Sequence, residues 1–217
     1  MYCTGRLATE GINIMDEIKY YDEFNDACAK ALPEKNCRKY FKIYEKELPR
    51  IVKSIGFLKN ISPNTILDIG PGKGRALWPI ANALPNTSIT CVEKSVWRHT
   101  VIDAVNKGGI KRISSLNIDV SEGLPFSDNS FDVTTAFEVI EHIRNYNSAI
   151  EEIFRVTRDF IMISVPSKPD KNPDHINFFT MADFEMVLSK AEEKTGKDIK
   201  KTTFGFIPKH MLIVIKF

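Results

Sequence analysis

The stretch Thr65–Arg75, TILDIGPGKGR, constrains the fold of this chain more than any other. Its first five residues are largely β-branched, which reads as a short, covered strand. Glycines at 70, 72 and 74 follow at once, and a helical pattern runs from Arg75 to Leu84. A strand that turns on glycines into a helix is the opening unit of an open α/β sheet with helices on its faces.

The text downstream repeats that alternation. Strands are expected at 88–93, 112–118, 131–137 and 160–166, and helices at Ser95–Lys107, Asn147–Val156 and Thr180–Lys190. Thr180 suits the N-cap of the last helix, with Asp183 at its third helical position. KTTFGFI (201–207) and HMLIVIKF (210–217) read as a terminal hairpin turning at Pro208-Lys209. Upstream, residues 1–15 lack periodicity, whereas 16–60 read as helical. There Tyr40, Phe41, Tyr44, Leu48, Ile51, Val52 and Ile55 recur at spacings of three and four, and Pro49 kinks or splits the pattern. The expected organisation is a tail and helical cap over 1–60 and a ligand-binding domain over 61–217. In such sheets ligands bind at the carboxyl ends of the strands, so the loops at 70–74, 93–95, 119–126, 138–142 and 166–178 are the ones to inspect.

Composition narrows the function. The 217 residues carry 30 basic and 28 acidic side chains, a net charge of +2, so bulk electrostatics predict no grip on nucleic acid. Residues 119–159 hold nine acids against three bases, an acidic centre that tolerates a cationic ligand. Residues 186–217 hold seven lysines against three acids, which reads as a solvated face. No apolar run approaches the roughly 20 residues of a membrane span, and MYCTGRLATEGIN has no stretch of signal-peptide length. Four cysteines, at 3, 28, 37 and 91, form no CxxC pair and no metal or disulfide framework, so a reducing cytoplasmic compartment is expected.

The glycine loop excludes two common ligands. A dinucleotide fingerprint, G-x-G-x-x-G, would need glycine where Arg75 stands, and the loop lacks the G-x-x-x-x-G-K-[ST] of a Walker motif. Asp68, two residues before the turn, would repel a pyrophosphate but suits a ligand ammonium, and the helix N-terminus beyond suits a carboxylate.

With D-x-G-x-G-x-G at 68–74, V-E-K-S at 92–95, the run N-I-D-V-S-E-G-L-P-F-S-D-N-S-F-D-V at 117–133 and F-E-V-I-E-H-I at 137–143, the chain resembles the class I S-adenosylmethionine-dependent methyltransferases over residues 60–180. The resemblance implies a Rossmann-like α/β fold: a seven-stranded, mostly parallel sheet with a C-terminal antiparallel hairpin and helices on both faces. It also implies S-adenosyl-L-methionine as cofactor. Asp68, Gly70, Pro71, Gly72 and Gly74 would then hold its amino-acid end. Glu93, with Lys94 beside it, would accept from the ribose hydroxyls, and Asp119 and Val120 would take the adenine. Phe137 and Glu138 would line the floor near the sulfonium. The chain departs from many members before the fifth strand, where V-T-R-D-F replaces a Pro-Gly-Gly turn.

Glu138, Glu141 and His142 fall on one face if a helical turn begins at Glu138. His175 lies in the loop after the neighbouring strand and is expected to reach the same cavity. Three readings stay open. In the first, Glu141 and His142 cap and orient the loop and His175 packs beneath a lid. Alternatively His142 or His175 is a general base, the catalytic assignment adopted here, with no metal. Finally, E-x-x-E-H with a later histidine is similar to the small-RNA 3′-end 2′-O-methyltransferases of the Hen1 type, which would imply magnesium or manganese. His99 and His210 suggest nothing by their positions, and Trp78 and Trp97 are expected to pack on the sheet. The expected activity is methyl transfer to an O or N nucleophile of a small-molecule acceptor by a monomer or homodimer, with no nucleic-acid or membrane partner. The alternatives are the metal-dependent RNA enzyme and a non-catalytic cofactor-binding subunit.

Overall fold

A computed structural model describes residues 19–43, 48–169 and 171–217. Seven strands form one sheet: β1 (Thr65–Ile69), β2 (Ser88–Val92), β3 (Ile113–Leu116), β4 (Phe131–Phe137), β5 (Thr157–Pro166), β6 (Lys201–Ile207) and β7 (His210–Lys216). Their order is β3-β2-β1-β4-β5-β7-β6. The first five run parallel, and β7 lies antiparallel between β5 and β6. The expected sheet and its terminal hairpin are therefore present. The order reverses between β1 and β4, which puts the switch point beside the glycine loop.

Strand alternation sorts the side chains into two cores. Ile66, Ile89, Cys91, Val133 and Met162 face one layer, formed by α1 (Asp22–Ala31), α2 (Pro49–Ile61), α3 (Leu77–Ala83) and α4 (Val96–Lys107). Leu67, Ile69, Ile161, Ile163 and Ile213 face the other, formed by α5 (Tyr146–Val156) and α6 (Met181–Thr195). Helices cover both faces because consecutive strand residues point to opposite sides. Thr180 and Asp183 form a reciprocal capping box at the start of α6.

The helical reading of 16–60 needs correction. Only α1 and α2 are regular there, and the segment between them carries one short 3₁₀ turn, Arg38–Tyr40, among its described residues. Pro49 does not kink a helix; it starts α2 at the first turn, where its missing N–H costs nothing. Val52, assigned to the apolar face, is half exposed. The expected tail at 1–15 and Tyr44 lie outside the described residues. Trp78 is buried as expected, whereas Trp97 is partly exposed and donates from Nε1 to the Tyr40 hydroxyl at 2.7 Å. Among the described residues no helix is long and apolar enough to cross a membrane.

The short connection into β5 has a physical basis. α5 ends at Val156 and β5 begins at Thr157, leaving no loop to satisfy the helix carbonyls. Lys197 Nζ caps this junction, donating to the carbonyls of Phe154 and Thr157 and to Asn129 Oδ1.

Candidate active site

Asp68 sits at the carboxyl end of β1 and is buried. Its Oδ1 accepts from Thr135 Oγ1 on β4 at 2.7 Å, while Oδ2 has no partner among the described residues. Burial pushes its carboxyl up to about 7; the Glu93 charge adds to this and the Thr135 bond opposes it. A buried acceptor left open beside a glycine turn fits a cationic ligand group.

The loop that follows is forced into shape. Gly70, Gly72 and Gly74 all have positive φ. A Cβ on Gly74 would lie 1.9 Å from Trp78 Nε1, and one on Gly70 would lie 2.9 Å from a Val139 methyl. Gly70 N–H donates to the Val92 carbonyl at 2.8 Å, and Gly74 N–H returns to Pro71 at 2.9 Å. Glu93, buried just after β2, accepts from Gly72 N–H at 3.0 Å and from Ser95 N–H at 2.8 Å. A loop N–H that an anionic phosphate would otherwise seek is thus taken by a carboxylate of the chain itself.

Asp119 caps the turn that Val120 opens, accepting from Ser121 N–H at 3.0 Å and Ser121 Oγ at 2.8 Å. Its Oδ2 is 3.6 Å from exposed Lys94 Nζ. Burial works against its charge, but the Ser121 bonds and Lys94 together hold its carboxyl below the usual range. Asp68, the glycine loop, Glu93 and Asp119 therefore line the carboxyl edge of β1, β2 and β3.

Phe137 ends β4, and Glu138 follows in a left-handed conformation at φ 58°. That geometry turns Glu138 away from the grouping expected from spacing. Its Oε1 accepts from Ser164 Oγ at 2.7 Å, and its Oε2 is 3.0 Å from His210 Nε2. Glu138 is largely buried, yet His210, Arg50 and Ser164 hold its carboxyl below the usual range.

The 3₁₀ turn begins only at Ile140, so Glu141 and His142 alone share it. Their neighbour is His175. The rings of His142 and His175 meet edge to face with centroids 4.8 Å apart. His142 Nδ1 lies 2.7 Å from the Asp174 carbonyl, which only accepts. Nδ1 therefore carries the proton, and Nε2 keeps its lone pair when the ring is neutral. The Ile176 and Asn177 N–H groups both donate to the Glu141 carbonyl at 3.0 Å, and Asn177 Nδ2 donates to the Ile143 carbonyl at 2.8 Å. These bonds tie the loop after β5 to the turn after β4. Glu141, His142 and His175 each present a ligand atom within 4.8 Å of the others.

Two residues escaped the sequence reading. His210, set aside there, opens β7 opposite Pro166 at the end of β5 and reaches Glu138. Arg50, in the first turn of α2, places Nη1 3.3 Å from His210 Nε2. A histidine at the start of a late strand gives no linear sign of this; the strand order would have been needed.

Known proteins resemble this chain in sequence and fold. A family model described as a methyltransferase domain matches residues 67–159. The malonyl-[acyl-carrier protein] O-methyltransferase of Geobacter sulfurreducens is 26% identical over 120 residues, covering 55% of this chain and 44% of that protein. The chain thus spans under half the length of that curated relative. Among solved structures, the methyltransferase domain of bacterial CtHen1-CN superposes with a TM-score of 0.58 at 21% identity, over 77% of this chain and 97% of that one. The Burkholderia thailandensis 1,6-didemethyltoxoflavin-N1-methyltransferase, solved with S-adenosylhomocysteine, gives 0.58 at 17% identity over 79% of each chain. With the mostly parallel sheet, its antiparallel terminal hairpin, the glycine loop and the acidic strand ends all in place, residues 67–159 match a methyltransferase domain and the chain is similar to S-adenosylmethionine-dependent methyltransferases.

Proposed function

We propose that this chain transfers a methyl group from S-adenosylmethionine to an oxygen or nitrogen nucleophile of a small-molecule acceptor, with His142 or His175 as general base. The observation that carries the reading is the pairing of a ligand cradle on β1–β3 with two histidines on the adjoining edge of β4–β5. The bound cofactor supplies an electrophilic methyl on a sulfonium. Asp68 Oδ2, the open buried acceptor, suits the cofactor's ammonium, and Glu93 beside Gly72 suits its ribose. Asp119 and Val120 flank the adenine position, and Lys94 keeps the Asp119 carboxylate charged. Methyl transfer is an in-line displacement, so the chain works chiefly by holding the two reactants in line and excluding water. His142 Nε2, with its lone pair exposed by the Nδ1–Asp174 bond, can take the acceptor's proton as the nucleophile attacks. The N-terminal segment 16–60 would cover the cofactor and shape the acceptor pocket over the 61–217 domain. The relative that methylates oxygen favours an oxygen nucleophile. Among the described residues Cys28, Cys37 and Cys91 are free and buried, which suits a reducing cytoplasmic setting, with the enzyme acting as a monomer or homodimer.

Calorimetry tests the reading. S-adenosylhomocysteine should bind and NAD should not; NAD binding without a response to S-adenosylhomocysteine overturns it. Release of S-adenosylhomocysteine from S-adenosylmethionine, across hydroxyl and amine acceptors, then identifies the nucleophile.

One observation favours a second reading. A carboxylate and two imidazoles converge at Glu141, His142 and His175. Ligands on one small divalent ion, each about 2.1 Å from it, lie at most about 4.2 Å apart, so a small closure of the cluster would hold magnesium or manganese. A cation there would orient vicinal hydroxyls, such as those of a 3′-terminal ribose. Loss of turnover in chelator and its return with either metal would select this reading.

A further inference from the structure

Arg50 is 9% exposed, and no described carboxylate lies within ion-pair distance of it. Glu138 and Glu141 act on it only through space, Arg75 opposes them, and burial draws its guanidinium below the usual range. A buried guanidinium without a direct anionic partner is costly, because five donors have been taken from water. One of its two edges is accounted for: Nη1 lies against His210 Nε2 at 3.3 Å. The other, formed by Nε and Nη2, makes no hydrogen bond to any described residue, and Nε is fully buried.

His210 does not relieve this. Its Nδ1 lies 3.0 Å from the Pro208 carbonyl and so carries a proton. Nε2 then either donates to Glu138 Oε2 as part of a cation or accepts from Arg50 as a neutral ring; it cannot do both. In the first state Arg50 has no acceptor at all. In the second it has one, for a single N–H. Either way the Nε–Nη2 edge stays open, and two parallel donors on that edge match the two oxygens of a carboxylate or phosphate.

The position selects what carries the anion. His210 faces Pro166 at the end of β5, and Glu138 follows β4. Arg50 therefore stands on the acceptor side of the switch point, across β4 from Glu93 and Asp119. We propose that the Nε–Nη2 edge of Arg50, backed by His210, binds an oxyanion, carboxylate or phosphate, carried by the methyl acceptor. The proposal rests on the methyltransferase reading and adds a charge class to its acceptor: anionic rather than neutral or cationic. The other source of the same chemistry is the carboxylate of the cofactor's own methionine moiety.

The test uses the full chain saturated with S-adenosylhomocysteine and titrated with malonate, then with inorganic phosphate, at constant ionic strength set with sodium chloride. The His210 imidazole is followed by NMR and assigned with His210→Gln. The expected result is a saturable shift with one or both anions that chloride does not produce. Arg50→Met should abolish it and Arg50→Lys should weaken it at least about tenfold, since lysine lacks the fork. The affinity for S-adenosylhomocysteine should stay within about twofold in both variants. No saturable shift in the unaltered protein overturns the proposal, whatever the variants do. A fall in S-adenosylhomocysteine affinity of about tenfold or more in Arg50→Met assigns the edge to the cofactor and also overturns it. Failure of the unaltered protein to bind S-adenosylhomocysteine overturns the methyltransferase reading itself.

Discussion

The imidazoles of His142 and His175 stand edge to face, 4.8 Å between centroids and 62° between planes. One comes from the turn after β4, the other from the loop after β5. If His142 or His175 is the general base, replacing that histidine with alanine should lower turnover by roughly 10²–10⁴ and leave cofactor affinity nearly unchanged. If they ligate a metal, chelator alone should produce the loss, and magnesium or manganese should reverse it. If they only hold the loop, alanine should lower the thermal midpoint and spare turnover.

Asp68 makes two pH predictions of opposite sense. Burial pushes its folded carboxyl up to about 7, above its ordinary value of 3.8. A raised carboxyl is protonated in the folded state over that interval, so the unliganded protein gains stability as pH falls through 7. Against Asp68→Asn, which removes the titration, the unaltered protein should gain in thermal midpoint between about pH 8 and about pH 5. Cofactor affinity should run the other way. The ammonium needs the carboxylate, so binding should weaken as pH falls through 7, and Asp68→Asn should lose about 1.5–3 kcal/mol above it. Calorimetry across that range reads both slopes.

Glu93 ties the glycine loop to the start of α4 through Gly72 N–H and Ser95 N–H. Glu93→Ala should weaken S-adenosylhomocysteine by about 1.5–3 kcal/mol with an unchanged circular dichroism spectrum. An unaltered dissociation constant would remove Glu93 from the ribose site.

Gly74 cannot carry a side chain. Its φ is 79° and the Trp78 indole fills the space where a Cβ would project. Gly74→Ala should cost at least about 2 kcal/mol in denaturant unfolding. Adding Trp78→Phe should recover part of that loss, because the indole nitrogen is the atom in the way.

Lys197 closes the junction where α5 passes directly into β5. Lys197→Met should destabilise by roughly 1–3 kcal/mol, since the helix-end carbonyls lose a donor that water reaches poorly. Activity per folded molecule should not change, because the junction lies at the end of the sheet opposite the site.

Local pattern was legible wherever one element decides its own form. The β-branched runs, the glycine turn at 70–74, the Thr180–Asp183 capping box and the acids at strand ends follow from short-range spacing and backbone sterics. Periodicity failed over 16–60, because the recurrence of Tyr40, Phe41 and Ile51 reflects burial from different elements and not one helix face. It failed again at Glu138, where a left-handed backbone breaks the register with Glu141 and sends the carboxylate to Ser164 and His210. Arg50 and His210 were invisible for a deeper reason. Their meeting depends on β7 inserting antiparallel beside β5 and on α2 packing across that edge. Such pairings are set by which apolar faces bury one another over long sequence distances, and no local spacing encodes them. The sequence by itself determined the sheet and the glycine loop; only the tertiary structure decided which charges meet at the ends of β4, β5 and β7.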